Sequence, residues 1–153
     1  MEKGEKYKLI LSLIKAMAKK SETQAKVKEY LDKYEREVGK RIMKRIYNIY
    51  LQDEQAYFWF MIDDNGMIDW GTKKNEHGHT TIYTDADTIL ALRNKKIKIL
   101  DQKTGQIVSV PYTFMDACRM GKIKWSGVAS TQDIKRFIDL LIKEPDLLNE
   151  VIP

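Results

Sequence analysis

The sequence is poor in most residues from which chemical motifs are built. Cys118 is the only cysteine in 153 residues, so no internal disulfide can form and a small disulfide-stapled scaffold is excluded. There are only two histidines, His77 and His79. The eight glycines are scattered, and none falls into G-x-x-x-x-G-K-S/T or G-x-G-x-x-G, so a glycine-rich phosphate loop is absent. Apolar runs are short, as in Tyr57-Phe58-Trp59-Phe60-Met61-Ile62, far from the roughly 18 residues that span a bilayer. No apolar stretch followed by small residues marks a signal peptide near the N-terminus, so the expected location is the cytoplasm.

What is present suits one packed domain. Apolar residues make up 43% of the chain, with eight tyrosines, four phenylalanines and three tryptophans. A chain of this length buries about two-thirds of its unfolded surface in one core, and such a composition is not that of a disordered segment. The net charge of +5 is unevenly placed: residues 1–52 carry 14 Lys and Arg against 7 Asp and Glu, whereas residues 53–153 carry 13 against 15. A basic N-terminal third fits nucleic acid or an anionic membrane surface. It equally fits a solvated helix face with interleaved Glu and Lys.

Residues 5–20 place Leu9, Ile10, Leu13, Ile14 and Met17 on one helical stripe. Ser21-Glu22-Thr23-Gln24 reads as a capping box for a second helix carrying Val27, Tyr30, Leu31, Tyr34 and Val38, with Gly39 closing it. Residues 41–51 favour a strand, although the first few could prolong the helix. Residues 57–63 read as a central strand that is apolar on both faces. Asp64-Asn65-Gly66 predicts a tight turn into a return strand at 67–72, and a fourth strand follows at 80–84. Asp85 can cap a helix over 86–93. Residues 96–101 and 106–110 form the arms of a hairpin. A short helix at 113–119, a strand at 123–127 and a helix at 132–143 capped by Thr131 and stopped by Pro145 complete the order, with a further helical turn at 147–151. Short turns between consecutive strands argue for antiparallel neighbours and against a doubly wound nucleotide fold.

Candidate chemistry is sparse. Glu76-His77-Gly78-His79 offers part of a metal-ligand set but no fourth ligand. Cys118 beside Arg119 could be a lowered-pKa thiol, yet neither histidine has a claim to act as its base. Asp63-Asp64 and Asp85-x-Asp87 are paired carboxylates at turn and cap positions, where Asp has a backbone role. Neither a cofactor nor a metal is expected, nor a catalytic set.

Three stretches together resemble the sterol carrier protein family, the non-specific lipid-transfer domain. They are the strand, turn and return strand of Tyr57 to Gly71, the segment Thr80-Thr81-Ile82-Tyr83-Thr84-Asp85-Ala86-Asp87-Thr88-Ile89-Leu90-Ala91-Leu92, and Met120-Gly121-Lys122-Ile123-Lys124-Trp125-Ser126-Gly127 followed by an amphipathic helix. The likeness covers roughly 38–143. Residues 94–112 are longer than the family's link at that point, and Val151-Ile152-Pro153 is not the peroxisomal tripeptide of eukaryotic members.

The resemblance implies an α+β domain over residues 1–153: a helical N-terminal extension at 1–38, then at 39–145 a mainly antiparallel sheet of about five strands with helices over one face. It implies an apolar tunnel between sheet and helices that takes a fatty acid or another lipid without catalysis. The tunnel candidates are Trp59 and Met61 on the aromatic strand, Phe114, Met115 and Cys118 on the short helix, Trp125 on the following strand, and Phe137, Ile138 and Leu141 on the last helix. The basic N-terminal helices could touch an anionic membrane during exchange. Other readings are a nucleic-acid-associated protein using those helices and a structural or oligomerisation module.

Overall fold

The computed structural model describes residues 4–19, 45–63 and 67–142. The second predicted helix, the Ser21–Gln24 capping box, the Asp64-Asn65-Gly66 turn, the Pro145 stop and the final helical turn lie outside them.

Three strands form a meander: β1 (Tyr47–Leu51), β2 (Ala56–Ile62) and β3 (Ile68–Gly71), with β2 antiparallel to both neighbours. Alternation decides the faces. Phe58, Phe60 and Ile62 are buried, whereas Tyr57, Trp59 and Met61 are half-buried on the other side. The aromatic strand is therefore next to the centre of the sheet, not central, and its two faces are unequal.

The fourth strand, β4 (Thr80–Thr84), departs from the antiparallel expectation. It runs parallel to β1, pairing Tyr47 with Thr80, Ile49 with Ile82 and Leu51 with Thr84. A tight turn after β3 would have placed it beside β3. Instead, residues 72–79 cross the sheet and are fastened on the way. The Asn48 side chain of β1 accepts from Asn75 N at 2.7 Å and donates to Asn75 O at 2.8 Å. Ile46 N donates to His79 Nδ1 at 3.0 Å, and His79 N donates to Ile46 O at 2.9 Å. Those long-range bonds satisfy the buried Asn48 amide and set where β4 begins.

An edge strand, β7 (Lys124–Gly127), completes the order β3-β2-β1-β4-β7. Gly127 adopts φ +117, and a Cβ there would collide with the His79 carbonyl, so both backbone angle and space require glycine. Two further strands, β5 (Lys96–Leu100) and β6 (Ile107–Pro111), make a separate two-stranded sheet, the predicted hairpin.

Four helices are described: α1 (Glu5–Lys19), α2 (Ala86–Asn94), α3 (Phe114–Arg119) and α4 (Thr131–Ile142). All contribute to one core with the face of the sheet that carries Tyr47, Ile49, Phe58, Phe60 and Ile82. Phe137 of α4 stacks on Tyr47 at 4.4 Å and meets Phe60 edge-on at 5.1 Å. The α4 cap is Ser130 rather than Thr131. Ser130 Oγ accepts from Asp133 N and Asp133 Oδ2 accepts from Ser130 N, because only this spacing lets both side chains reach back.

The turn between β1 and β2 holds two helices at once. Asp53 accepts from Ala86 N at 2.8 Å and Asp87 N at 3.2 Å, while Asp85 accepts from Thr88 N at 2.6 Å. Next along the chain, Glu54 accepts from Gly4 N at 2.7 Å and Tyr7 N at 3.0 Å. Gly4 occupies the N-cap of α1, since its carbonyl accepts from Lys8 N. Glu54 thus performs from a distance what a capping side chain does locally. Lys6 and Asp87, 2.6 Å apart, tie the two helix starts together. Glu54→Ala should destabilise the protein by about 1–2 kcal/mol, the scale of a lost cap. Urea denaturation checks this, with Glu54→Gln recovering part of the loss.

Candidate functional site

The sequence candidates divide between the two faces of the sheet. Phe137 and Ile138 are fully buried on the helix-covered side, and Phe114 nearly so. Trp125 lies opposite Ile82 on the same face and, with Cys118, packs against the core while staying partly exposed. In α3, Phe114, Ala117 and Cys118 share the inward side at helical spacing. Met115 points away and is 51% exposed. Leu141 lies in α4, but its side chain is outside the described part.

Trp59 and Met61 occupy the opposite face. The Trp59 indole lies across Gly71, where a Cβ would collide with it, so glycine there makes room for the ring. Tyr50 lies tilted against Tyr57 at 4.7 Å and meets Tyr83 edge-on at 6.4 Å. The Lys74 ammonium stands over the Tyr57 ring at 5.7 Å. The candidates therefore do not line a single volume.

The covered face also gathers residues that were not candidates. Ile10 and Ile14 of α1 and Ile89 and Leu92 of α2 are buried in the same layer, and Trp70 joins it opposite Phe60. The α1 stripe is legible in the sequence, but its docking on this face is not. Trp70 could have been placed by continuing the β2 alternation through the turn. The polar groups are few: the Thr80 hydroxyl accepts from Ala129 N at 3.3 Å, and the buried Thr84 hydroxyl has no partner among the described residues.

Four titratable groups around this layer shift toward their neutral forms. Burial pushes Tyr7, Tyr112 and Cys118 up and Arg93 down, as a low-dielectric environment requires. Arg119 does not activate the thiol; it is drawn into an ion pair with Asp116. His79 spends Nδ1 on a backbone amide. Among the described residues, no three metal-ligating side chains come together, and no helix is long and apolar enough to cross a membrane.

Thr113 and Asp116 form a reciprocal capping box at α3. The Thr113 hydroxyl, then its backbone N–H, then Arg119 hold the Asp116 carboxyl below its ordinary range.

A likeness to a solved structure extends over nearly the whole chain. The UbiJ-SCP2 ubiquinone synthesis protein matches with a TM-score of 0.50 and 11% identity, covering 94% of this chain and 94% of that one. The fold is that of the sterol carrier protein domain. Sterol carrier protein 2-like 2 from Aedes aegypti matches with a TM-score of 0.38 and 16% identity over 74% of this chain and 88% of that one. The protein TT1886 from Thermus thermophilus, described as possibly a sterol carrier protein, matches with a TM-score of 0.46 and 10% identity over 99% and 90%. No protein-family model matches the chain, and no curated protein does. On the covered face, the described helices and the sheet enclose the apolar layer.

A carboxyl titration by NMR should find Asp116 ionising below the ordinary aspartate, and Thr113→Val should move it back up. A depressed carboxyl stabilises the fold fully above the unfolded value of about 3.9, and its contribution is lost as pH falls through the lowered folded value.

Proposed function

We propose that the protein is a non-catalytic carrier that holds a fatty acyl chain or another lipid between its helices and the covered face of its sheet. The observation that carries this reading is the pair Cys118 and Trp125. Both pack on the core and both remain partly exposed, and in this reading they mark where the apolar layer reaches the surface beside α3 and edge strand β7. A chain entering there would exchange water for an apolar lining, with each buried methylene contributing about 0.8 kcal/mol. Opening requires α3 to move, and α3 is a short helix of six residues.

One structural relative with this fold is described as a ubiquinone synthesis protein, and ubiquinone is a lipid. The absence of catalysis is part of the proposal. It is supported by the raised, protonated thiol of Cys118 and by the engagement of His79 with the backbone, which leave neither as a ready nucleophile or base.

Delipidated protein should bind a fluorescent fatty acid saturably and release it to unlabelled fatty acid, and native mass spectrometry of protein as purified should show a retained acyl ligand. Absence of both at micromolar probe removes the proposal. Cys118→Trp separates a lined space from a filled one. If the thiol borders ligand, affinity falls at least tenfold with little change in stability. If it sits in closed packing, overfilling costs about 1–3 kcal/mol.

A further inference from the structure

We propose that the β5–β6 hairpin is the element by which this protein docks on an anionic phospholipid surface. The inference rests on the carrier reading for its purpose, since a carrier must meet a membrane to load or deliver, but on separate residues for its physics. The hairpin forms its own two-stranded sheet apart from the five-stranded one. Its far end is apolar and open to water: Ile107 is 71% exposed, Leu100 61% and Ile99 43%. Leu100 and Ile107 are cross-strand partners, so they stand side by side on one face.

Lys96 and Lys98 precede Leu100 on that face at strand spacing and are exposed, as are Lys95 at the base and Lys103 in the tip. The single acid of the hairpin, Asp101, is turned inward to the tip. It accepts from Lys103 N at 3.0 Å and from the Thr104 hydroxyl at 3.2 Å, and its backbone closes the loop through Gly105 N and Gln106 O. The other face is different toward its base: Ile97 packs against the core and Val108 and Val110 are half-buried, while Ile99 on that face is exposed near the tip. The body thus anchors one face of the hairpin and leaves the lysine-bearing face outward.

Exposed branched aliphatics flanked by lysines match the interface of an acidic bilayer, where apolar side chains enter the acyl boundary and ammonium groups reach the phosphates. A nucleic acid would use the lysines but offers the Leu100–Ile107 pair no apolar partner. A second copy pairing along the strands would oppose Lys96 and Lys98 with like charge, and Pro111 lacks an N–H to donate.

The test is co-sedimentation of the whole protein with vesicles of two parts phosphatidylcholine to one part phosphatidylserine, and with phosphatidylcholine alone. The wild type should bind the acidic vesicles and not the neutral ones. Lys96→Gln with Lys98→Gln should weaken binding about thirtyfold, and Leu100→Ser with Ile107→Ser should lower it at least tenfold. All four positions are exposed, and circular dichroism checks that the fold is kept. Equal sedimentation of wild type and variants overturns the proposal by placing the contact elsewhere. So does an increase in mass without vesicles that Ile107→Ser abolishes, which would mark a contact between copies. Fatty-acid displacement in vesicle-free solution is read in parallel. Variants that still bind probe but not vesicles support the docking role. Loss of probe binding by the wild type defeats the carrier reading instead.

Discussion

Two adjacent carboxylates in the β1–β2 turn organise this structure. Asp53 receives the first amides of α2 and Glu54 those of α1. Helix starts present unsatisfied N–H groups and a positive dipole end, both of which a carboxylate answers. Placing both answers in one turn fixes two helices to the same point of the sheet. Gln55, at φ +50, bends the backbone out of that turn and into β2. With α1 and α2 so placed, Ile10, Ile14, Ile89 and Leu92 close over the sheet, and α4 completes the layer through Phe137.

The consequence is a sheet with two unlike faces. The covered face is aliphatic and aromatic, and burial shifts Tyr7, Tyr112, Cys118 and Arg93 beside it toward their neutral forms. The opposite face carries tyrosines, Trp59 and Met61, with the crossing segment 72–79 fastened to it through Asn48. Apolar side chains occur on both, but among the described residues the helices pack on the covered face. That asymmetry directs the functional proposal to the covered face and removes Trp59 and Met61 from the proposed lining.

Local patterning made much of the fold legible. The β2 alternation, the Asp85 cap, the hairpin and the amphipathic stripes of α1 and α4 each declare themselves within a few residues. The parallel pairing of β4 with β1 does not, because it depends on Asn48 reaching Asn75 across the sheet. Nor does the role of Glu54, whose partners are 50 and 47 residues away in sequence. The site was legible in composition but not in arrangement. Residues alternating along β2 all read as apolar, and only the packing of α4 on Phe60 and Tyr47 shows which of them face the helices. Met115 illustrates the same limit: its residue type suits a lining, but its position on α3 turns it to water.

The central claim is that a lipid occupies the space between the helices and the covered face. The three tryptophans report on it directly, because Trp125 and Trp70 belong to the covered face and Trp59 to the other. Indole N–H signals, assigned by single Trp→Phe variants, can be followed by NMR as oleate is added to delipidated protein. The signal of Trp125 should shift and saturate, with Trp59 unmoved. A shift confined to Trp59, or no shift in any of the three at saturating oleate, would contradict the claim.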